Sequence, residues 1–254
     1  MKNSARNELA VCGFAAVKTL EKNNPQKIQR LYFTKERAPL FGGLCKKMAS
    51  SKRPYNQVND PKELEKLCGS VHHQGVVAMI EAPEIPALTK DDTARWAQNK
   101  EFTILLDRVG NANNLGAIVR SAAFFGIKNI VIPLDEAQSS VTTSSYRVAE
   151  GGMEYVNIYS IRSIPYLLQD MKDKLVRIGT SLEGSVSSRN LGNFVKDKGA
   201  IIVLGNEENG ISEEVKKNCD KLVMIPRGQN VKVDSLNVAQ AASVICYELS
   251  LARM

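Results

Sequence analysis

Three stretches in the second half of the sequence combine glycines with amide, hydroxyl and carboxylate side chains. They read NANNLGAIVR (111–120), LGNEENGIS (204–212) and IPRGQNVKVDSLNVAQAA (225–242). None of them concentrates positive charge, and hydrogen-bonding groups are supplied by Asn114, Glu207, Glu208, Asn209, Ser235 and Asn237. This chemistry favours a neutral or zwitterionic ligand held largely by backbone groups. The alternative is that these Asn and Gly residues serve only the geometry of turns.

Two common nucleotide-binding motifs do not fit these stretches. Gly205 and Gly210 have the spacing of the glycines in a P-loop, but Ile211 stands where the lysine that reaches the phosphates is required. No GxGxxG sequence follows the first apolar run of this half, which argues against the usual dinucleotide-binding fingerprint. The sequence therefore disfavours an NTPase and an NAD-dependent enzyme.

Alternating apolar and helical patterns predict that the three stretches are loops of one α/β domain. Short apolar runs predict strands at 103–107, 129–133, 155–159, 175–179, 200–204 and 221–225. Helical patterns predict helices at 115–125, 163–173, 212–218 and 235–251, with Asn114 and Ser212 placed to cap two of them. This alternation is typical of a parallel sheet covered on both faces. Since ligands bind at the carboxyl ends of such strands, the three loops are expected to meet there.

The first 82 residues carry the excess positive charge. They contain 14 Lys and Arg against 7 Asp and Glu, whereas residues 83–254 contain 20 of each. Their patterns predict a compact α/β unit with helices at 7–22, 35–50 and 61–68 and strands at 28–33, 55–58 and 75–80. A basic module beside a neutral one suggests that the first holds a polyanion, although simple solubility is an alternative. One basic cluster has two interpretations: it forms part of an RNA-binding surface, or it is an ordinary solvated surface. The cluster comprises Lys46, Lys47, Lys52 and Arg53.

Other segments suggest connections rather than sites. Residues 83–100 are predicted to be a linker with a short helix, and 139–152 is predicted to be polar and flexible. Cys68, His72 and His73 lack a further local ligand, so no metal is expected. The five cysteines are widely spaced without a CxxC pair, which favours a reducing cytoplasm. No apolar run is long enough to span a bilayer, and the start lacks a signal-peptide core.

Together, the three stretches resemble the three motifs of the SpoU (TrmH-type) RNA 2′-O-methyltransferases of the SPOUT superfamily. NNLGAIVRSAAFFG resembles the first motif, IIVLGNEENGIS the second, and MIPRGQNVKVDSLNVAQAASVICYE the third, in the family's order. The resemblance implies an α/β fold with a parallel-sheet catalytic domain at 101–254, threaded into a deep trefoil knot. It also implies that residues 1–82 are a substrate-binding domain related to certain ribosomal proteins, joined by the linker 83–100.

The resemblance further implies a function. The expected reaction is methylation of a ribose 2′-hydroxyl in structured RNA, with S-adenosyl-L-methionine as donor and a homodimer as the working form. Ribosomal RNA is the expected substrate because of the accessory domain. The alternatives are a tRNA 2′-O-methyltransferase and a non-catalytic RNA-binding protein that keeps the fold.

Site residues follow from the positions of the motifs. The resemblance assigns catalytic roles to Asn114, Arg120, Glu207, Ser235 and Asn237. It places the donor against Thr180, Leu204, Gly205, Gly210, Ile225 and Leu236. Arg147 and Glu150 fall where relatives line the active site and are secondary candidates. Two features depart from the family pattern: Asn209 stands where many members have a second acidic residue, and the loop 226–235 is slightly longer.

The role of Arg120 in the expected reaction has to be explained chemically. A ribose hydroxyl is a poor nucleophile, so its proton must be withdrawn and its developing charge stabilised. The resemblance gives this role to Arg120, yet a guanidinium holds its proton firmly. Arg120 therefore acts either as a partly desolvated base or as a charged clamp on the 3′ phosphate and the incipient alkoxide, and we favour the clamp. An arginine that merely reaches a surface carboxylate is the structural alternative.

Overall fold

The computed structural model describes residues 7–230 and 232–253, which fall into two compact units. The first unit comprises the residues up to Glu84 together with Val141–Tyr155. The second comprises Ile85–Ser140 and the chain from Val156 onwards. Within the described ranges, no helix is both long and apolar enough to cross a membrane.

The elements are numbered along the chain. The strands are β1 (Glu8–Cys12), β2 (Ile28–Thr34), β3 (Tyr55–Val58), β4 (Val76–Glu81), β5 (Phe102–Asp107), β6 (Asn129–Pro133), β7 (Asn157–Ile161), β8 (Val176–Thr180), β9 (Val186–Ser187), β10 (Ala200–Gly205) and β11 (Lys221–Met224). The helices are α1 (Phe14–Asn23), α2 (Gly42–Ser50), α3 (Pro61–Cys68), α4 (Lys90–Gln98), α5 (Ala112–Phe124), α6 (Thr143–Ala149), α7 (Ile164–Asp170), α8 (Leu191–Val195), α9 (Glu213–Lys217) and α10 (Val238–Leu251). Short 3₁₀ turns occupy Pro25–Lys27, Ala38–Phe41, Gly152–Glu154 and Ser188–Asn190.

The first unit is built on a sheet with the strand order β1-β4-β2-β3. β4 pairs antiparallel with β1 and β2, and β3 pairs parallel with β2. The helix predicted over 7–22 is wrong at its start, because the apolar run ELAVC is a fully buried strand. Gly13, at φ 98°, then turns the chain into α1. The helix predicted over 35–50 begins only at Gly42, since Pro39 lies in the preceding 3₁₀ turn and lacks the N–H that a continuing helix requires.

A segment from the middle of the chain completes the first unit. Helix α6, in Val141–Tyr155, packs against β1 and α1. The prediction of a flexible stretch over 139–152 is wrong here, because Thr142 and Ser145 form a reciprocal cap at the start of α6 and Tyr146 is buried. Hydroxyl-rich sequence thus begins a helix instead of interrupting one.

Close contacts hold this segment against α1. Glu154 accepts a hydrogen bond from Asn24 Nδ2 at 2.5 Å, and its side chain is almost fully buried. Gly151 has a φ of 93°, and a Cβ placed there would lie 2.7 Å from the Cβ of Thr19. A side chain at position 151 would therefore push the segment away from α1.

The second unit is a parallel sheet with the strand order β7-β6-β5-β10-β8-β11-β9. All its pairings are parallel. The prediction of a parallel α/β sheet is therefore confirmed, and the six predicted strands agree with the observed ones to within two residues at each end. Val186–Ser187 and helix α8 were not predicted, because both are too short to show a hydrophobic period.

Helices cover this sheet on both faces. Leu105, Ile201 and Val203 point into a core shared with α4, α7 and α9. Side chains alternate along a strand, so Ile104 and Ile202 point to the other face, where α10 contacts both β10 and α5.

The residues expected to form a linker, 83–100, belong largely to the second unit. Leu88 N donates to the carbonyl of Ser160 at 2.9 Å, and Ser160 N donates to the carbonyl of Pro86 at 2.8 Å. Helix α4 follows, and its Trp96 is completely buried in the core of that unit. The stretch that contains the prolines therefore lies along the edge strand β7, and α4 begins after it.

Candidate active site

A cavity of about 530 Å³ opens at the carboxyl ends of β8, β10 and β11, which are neighbours in the sheet. Three chain segments line it, residues 180–183, 204–211 and parts of 223–241, together with Lys216 of α9. Every residue that the sequence places against the donor lies in the lining: Thr180, Leu204, Gly205, Gly210, Ile225 and Leu236. Glu207 and Ser235, expected to be catalytic, also line the cavity. The structure thus brings these residues together, while their roles stay predictions.

The backbone near Gly205 forms a tightly packed wall of this cavity. A Cβ on Gly205 would overlap the backbone of Gly210 and Ile211. The turn between them is closed by Gly210 N, which donates to the carbonyl of Asn206 at 2.8 Å. The Asn206 side chain stabilises the same turn by accepting hydrogen bonds from the amides of Glu208 and Asn209. Asn209, where the family often has a second acid, therefore contributes its backbone to this turn.

Asn114 connects all three motif loops. Its Nδ2 donates to Glu207 Oε1, and its Oδ1 accepts a hydrogen bond from Asn237 Nδ2 at 3.1 Å. Asn237 in turn caps α10, because its Oδ1 accepts from Ala239 N at 2.9 Å. These three predicted catalytic residues therefore form one hydrogen-bonded chain, with Asn114 and Asn237 just outside the cavity lining.

The prediction that Asn114 caps its helix is wrong. Asn111 is the cap, since it has an extended backbone and its Oδ1 accepts from Asn113 N at 2.8 Å. Asn114 lies one turn further, where its amide is directed to the other two loops. Ser212 does cap α9, as predicted, and accepts a hydrogen bond from Val215 N.

Arg120 is exposed on α5. The buried side of this helix is formed by Leu115, Ile118, Val119 and Ala122. At 100° per residue, Arg120 projects from the opposite side, in the same row as Phe124. Arg120 lies outside the cavity lining, six residues along the helix from Asn114, so the structure separates it from the residues predicted to hold the donor.

Two residues at the end of β5 were not singled out from the sequence. Asp107 is buried, and its carboxylate accepts from Ser212 N at 2.9 Å and from Arg108 Nε at 2.9 Å. Arg108 has a left-handed backbone, with φ 59°, and its carbonyl accepts from Asn206 Nδ2 at 3.1 Å. The hydrogen bond to Asp107 raises the pKa of Arg108, so this guanidinium remains charged. The sequence feature that could have identified Asp107 is an acidic residue at the end of an otherwise apolar strand.

Carboxylates outnumber basic groups around the cavity. The charged lining residues are Glu183, Glu207, Glu208, Asp234, Lys216 and Arg227. Lys216 is also paired with Glu213 at 2.6 Å, and this hydrogen bond raises its pKa. The field at the cavity therefore favours a ligand that carries positive charge.

The remaining candidates lie in the first unit. Lys46, Lys47 and Lys52 are exposed, as either an RNA footprint or a solvated face requires. Arg53 differs, because its Nη1 donates to the carbonyls of Pro25 and Ile28 at 2.8 and 2.7 Å and so ties two segments together. The secondary candidates Arg147 and Glu150 lie on α6 and at its C-cap, also in this unit.

The histidines do not assemble with other ligands. His73 is buried, and its Nδ1 accepts from Gly75 N at 3.0 Å, whereas His72 is exposed. Across the described part of the chain, no group of three or more His, Cys, Asp or Glu side chains is arranged to hold a metal ion.

Comparison with known families gives two adjacent matches. The model of the SpoU rRNA Methylase family matches residues 101–247. A second model, described as RNA 2′-O ribose methyltransferase substrate binding, matches residues 10–86. The two matches therefore fall on the parallel-sheet half of the sequence and on the basic first third.

Two named relatives differ in how much of their own length this chain covers. A protein from Haemophilus influenzae named an uncharacterized tRNA/rRNA methyltransferase is 32% identical over 68% of this chain and 48% of its own length. The 23S rRNA (guanosine-2′-O-)-methyltransferase RlmB of Acinetobacter baylyi is 30% identical over 95% of this chain and 96% of its own length. The chain thus spans about half of the first relative and nearly all of the second.

Solved structures share the fold over almost the whole chain. The SpoU methyltransferase AviRb from Streptomyces viridochromogenes, in complex with AdoMet, has a TM-score of 0.73 at 21% identity and covers 98% of this chain and 92% of its own. The AdoMet-bound rRNA methyltransferase from Sinorhizobium meliloti has a TM-score of 0.74 at 21% identity, with coverages of 98% and 88%. At these identities the likeness establishes the fold.

Proposed function

The chain belongs to the SpoU rRNA methylase family, and we propose that it transfers the methyl group of S-adenosyl-L-methionine to a ribose 2′-hydroxyl of ribosomal RNA. The observation that carries the proposal is the chain of hydrogen bonds from Glu207 through Asn114 to Asn237, beside the cavity. It joins three loops that are far apart in the sequence and gives them one shared geometry. RlmB of Acinetobacter baylyi, which aligns along nearly its whole length, favours ribosomal RNA over the alternative, tRNA.

The volume, the apolar lining and the charge of the cavity suit the donor. Its volume of about 530 Å³ lies within the range of small-molecule sites. Leu204, Ile225 and Leu236 offer apolar surface, and Gly205 leaves room close to the backbone. When bound, S-adenosylmethionine supplies a methyl group attached to a positively charged sulfur, which the surrounding carboxylates favour.

Arg120 and the three hydrogen-bonded residues have separate roles in the proposed reaction. Asn114 and Asn237 hold the first and third loops in register, and Glu207 provides a negative charge at the cavity wall. Arg120, on the exposed side of α5, stays charged and grips the 3′ phosphate and the incipient alkoxide of the ribose. Its planar guanidinium can donate to both groups at once, which a lysine ammonium does less well.

The basic first domain, residues 1–82, is proposed to hold the RNA, while residues 101–254 carry the chemistry. The excess positive charge lies in the first of these ranges, and Lys46, Lys47 and Lys52 are exposed there. Phosphate contacts of this kind give an affinity for nucleic acids that does not depend on sequence and falls as salt is added. The same proposal places the protein in the cytoplasm, where its substrate is.

A homodimer is the proposed working form. Phe124 on α5 is 82% exposed, and Tyr247 on α10 is 50% exposed. The two helices pack against each other, and Phe125 contacts Tyr247 with ring centroids 6.1 Å apart. Aromatic surface of this kind is typical of interfaces between subunits. The trefoil knot implied by the family is part of the same proposal.

Replacing Arg120 with Ala tests the activity directly. We expect single-turnover methyl transfer to fall at least about a hundredfold, on the order of 3 kcal/mol, because a charged contact to the transition state is lost. Donor affinity measured by calorimetry should change little, because Arg120 lies outside the cavity lining. Arg120→Lys should recover little of the rate.

Lys128→Ala is the matched control, since it removes an exposed cation that immediately precedes β6, at the amino end of that strand rather than at the carboxyl ends where the cavity opens. Retention of most of the rate by Arg120→Ala would contradict the assignment, as would a loss of donor affinity in proportion to the loss of rate. A wild-type protein that binds RNA and no donor would support the non-catalytic alternative.

A further inference from the structure

The first motif loop is held by a neighbouring segment that carries none of the family's motif residues. Residues 134–140 follow β6 and lie against the loop between β5 and α5. Asp135 shapes this segment, because its Oδ1 accepts from Ala137 N at 2.8 Å and its carbonyl accepts from Gln138 N at 3.0 Å. The turn formed in this way directs the Gln138 side chain to Val109, in the middle of the motif loop.

The Gln138 carboxamide forms hydrogen bonds with both the N–H and the C=O of Val109. Its Oε1 accepts from Val109 N at 2.9 Å, and its Nε2 donates to the Val109 carbonyl at 3.0 Å. The Val109 carbonyl also accepts from Ser139 N at 3.0 Å. Gln138 is only 9% exposed and Val109 is fully buried, so water does not replace these bonds easily. The carboxamide thus supplements the backbone hydrogen bond from Ser139 N and pairs with Val109 as a neighbouring strand would.

The loop between β5 and α5 also has little free space around its backbone. A Cβ on Gly110 would lie 2.9 Å from the carbonyl oxygen of Ala137, so the two segments touch through their backbones. On one side of Val109, Arg108 has a left-handed backbone; on the other, Asn111 caps α5. Any shift of Val109 therefore reaches the start of α5, the helix that carries Asn114 and Arg120.

We infer that Gln138 is a positioning residue for methyl transfer: its carboxamide fixes Val109 and thereby sets where α5 presents Asn114 and Arg120 to the ribose. The inference rests on the proposed function, because it assigns Gln138 to the catalytic step rather than to donor binding. Val109 and Gln138 both lie outside the lining of the donor cavity. A displacement of reacting groups by about 1 Å can reduce a rate about a hundredfold.

The chemistry of the carboxamide supplies a specific test. Gln138→Leu keeps the volume but leaves Val109 N buried without its acceptor. Gln138→Glu keeps that acceptor but directs a second carboxylate oxygen at the carbonyls of Val109 and Ser139, which repel it. Burial and these carbonyls raise the pKa of the new carboxyl group. Once protonated, its O–H donates to the Val109 carbonyl and restores the pattern of the carboxamide.

The experiment measures single-turnover methyl transfer and donor binding for the full chain. We expect Gln138→Leu to lower the rate about thirtyfold or more, with a donor Kd within threefold of wild type. The rate of Gln138→Glu relative to wild type should rise as pH falls from 9 to 6. Asn129→Leu is the matched control: Asn129 is also a buried amide, donating to Glu101 at 2.5 Å, but it lies at the start of β6. This control should lose stability and keep its rate.

The outcomes separate the inference from the function on which it rests. A Gln138→Leu rate within threefold of wild type, or a Gln138→Glu ratio that does not change with pH, would overturn the positioning role alone. A rate lost by Asn129→Leu to the same extent would also overturn it, because general destabilisation would then explain both variants. A wild-type protein without methyl transfer would overturn the proposed function, and the inference with it.

Discussion

Replacing Gly205 with Ala should close the cavity from its backbone side. The new Cβ would lie 2.5 Å from the carbonyl oxygen of Gly210, and closer still to the carbonyl carbon of Gly210 and the amide nitrogen of Ile211. Ordinary contacts of this kind are about 3.5 Å or longer, so the turn from Asn206 to Gly210 must move by about 1 Å. Gly205 has no left-handed backbone, so the effect of the substitution is steric.

The expected cost has two parts. Overpacking against backbone typically costs about 1 to 3 kcal/mol, which corresponds to a fall in Tm of about 5 °C in a unit of this size. The displaced turn also carries Glu207 and borders the cavity, so donor affinity should fall at least about thirtyfold, equivalent to about 2 kcal/mol. Thermal unfolding gives the first quantity, and calorimetric titration with S-adenosylmethionine gives the second.

Gly192→Ala is the matched control in the same unit. A Cβ there would lie 3.6 Å from the Cβ of Ala252, an ordinary contact, and the position is helical. It should leave Tm and donor affinity within error of wild type. If Gly205→Ala lowers Tm as expected but binds the donor with wild-type affinity, the cavity is not the donor site and the reasoning is refuted.

Three further predictions concern RNA binding, assembly and pH. Lys46→Glu combined with Lys47→Glu and Lys52→Glu should weaken RNA binding at least about tenfold and flatten its dependence on salt; an unchanged salt dependence would remove these lysines from the RNA surface. Phe124→Glu with Tyr247→Glu should produce a monomer in sedimentation experiments, and a wild-type protein that is monomeric at micromolar concentration would contradict the proposed dimer. Burial alone would raise the pKa of Asp220, but its hydrogen bonds from the Arg177 side chain and backbone, together with the Arg177 charge, lower it. This carboxylate therefore stabilises the fold above its unfolded pKa of about 3.9 and loses that contribution as pH falls through the lower folded pKa; the acid-unfolding curve of Asp220→Asn should be less steep, and a curve identical to wild type would contradict this.

The strands of the second unit were predictable because they are buried on both faces. Apolar runs such as AIIVL at 200–204 have few alternative structures when helical patterns flank them. The ends of the helices were less predictable, as α5 shows: three residues of Asn and Ala before Leu115 belong to the helix, and only the backbone of Asn111 reveals the cap. In the first unit, ELAVC satisfies both a helical and a buried-strand pattern, and its pairing with β4 decides between them.

The candidate site was predictable where a residue type performs chemistry, and less so where it supports other residues. Asn114, Glu207 and Asn237 were named from the motifs, and the structure joins them. Gln138 was missed because an isolated glutamine in a polar stretch has no pattern of its own. Its importance depends on a buried backbone 29 positions away, which only the folded chain brings into contact.

The return of Val141–Tyr155 to the first unit has a consequence for synthesis of the protein. The ribosome releases the chain from its N-terminus, so β1 to β4 emerge well before the helix that packs against β1. Roughly 70 residues separate Glu84 from Tyr155, which corresponds to several seconds of translation at about 5 to 20 residues per second. During that interval the apolar surface that α6 will cover stays exposed on the nascent chain. The part of the protein that is made first is therefore completed only after the catalytic sheet has begun to emerge.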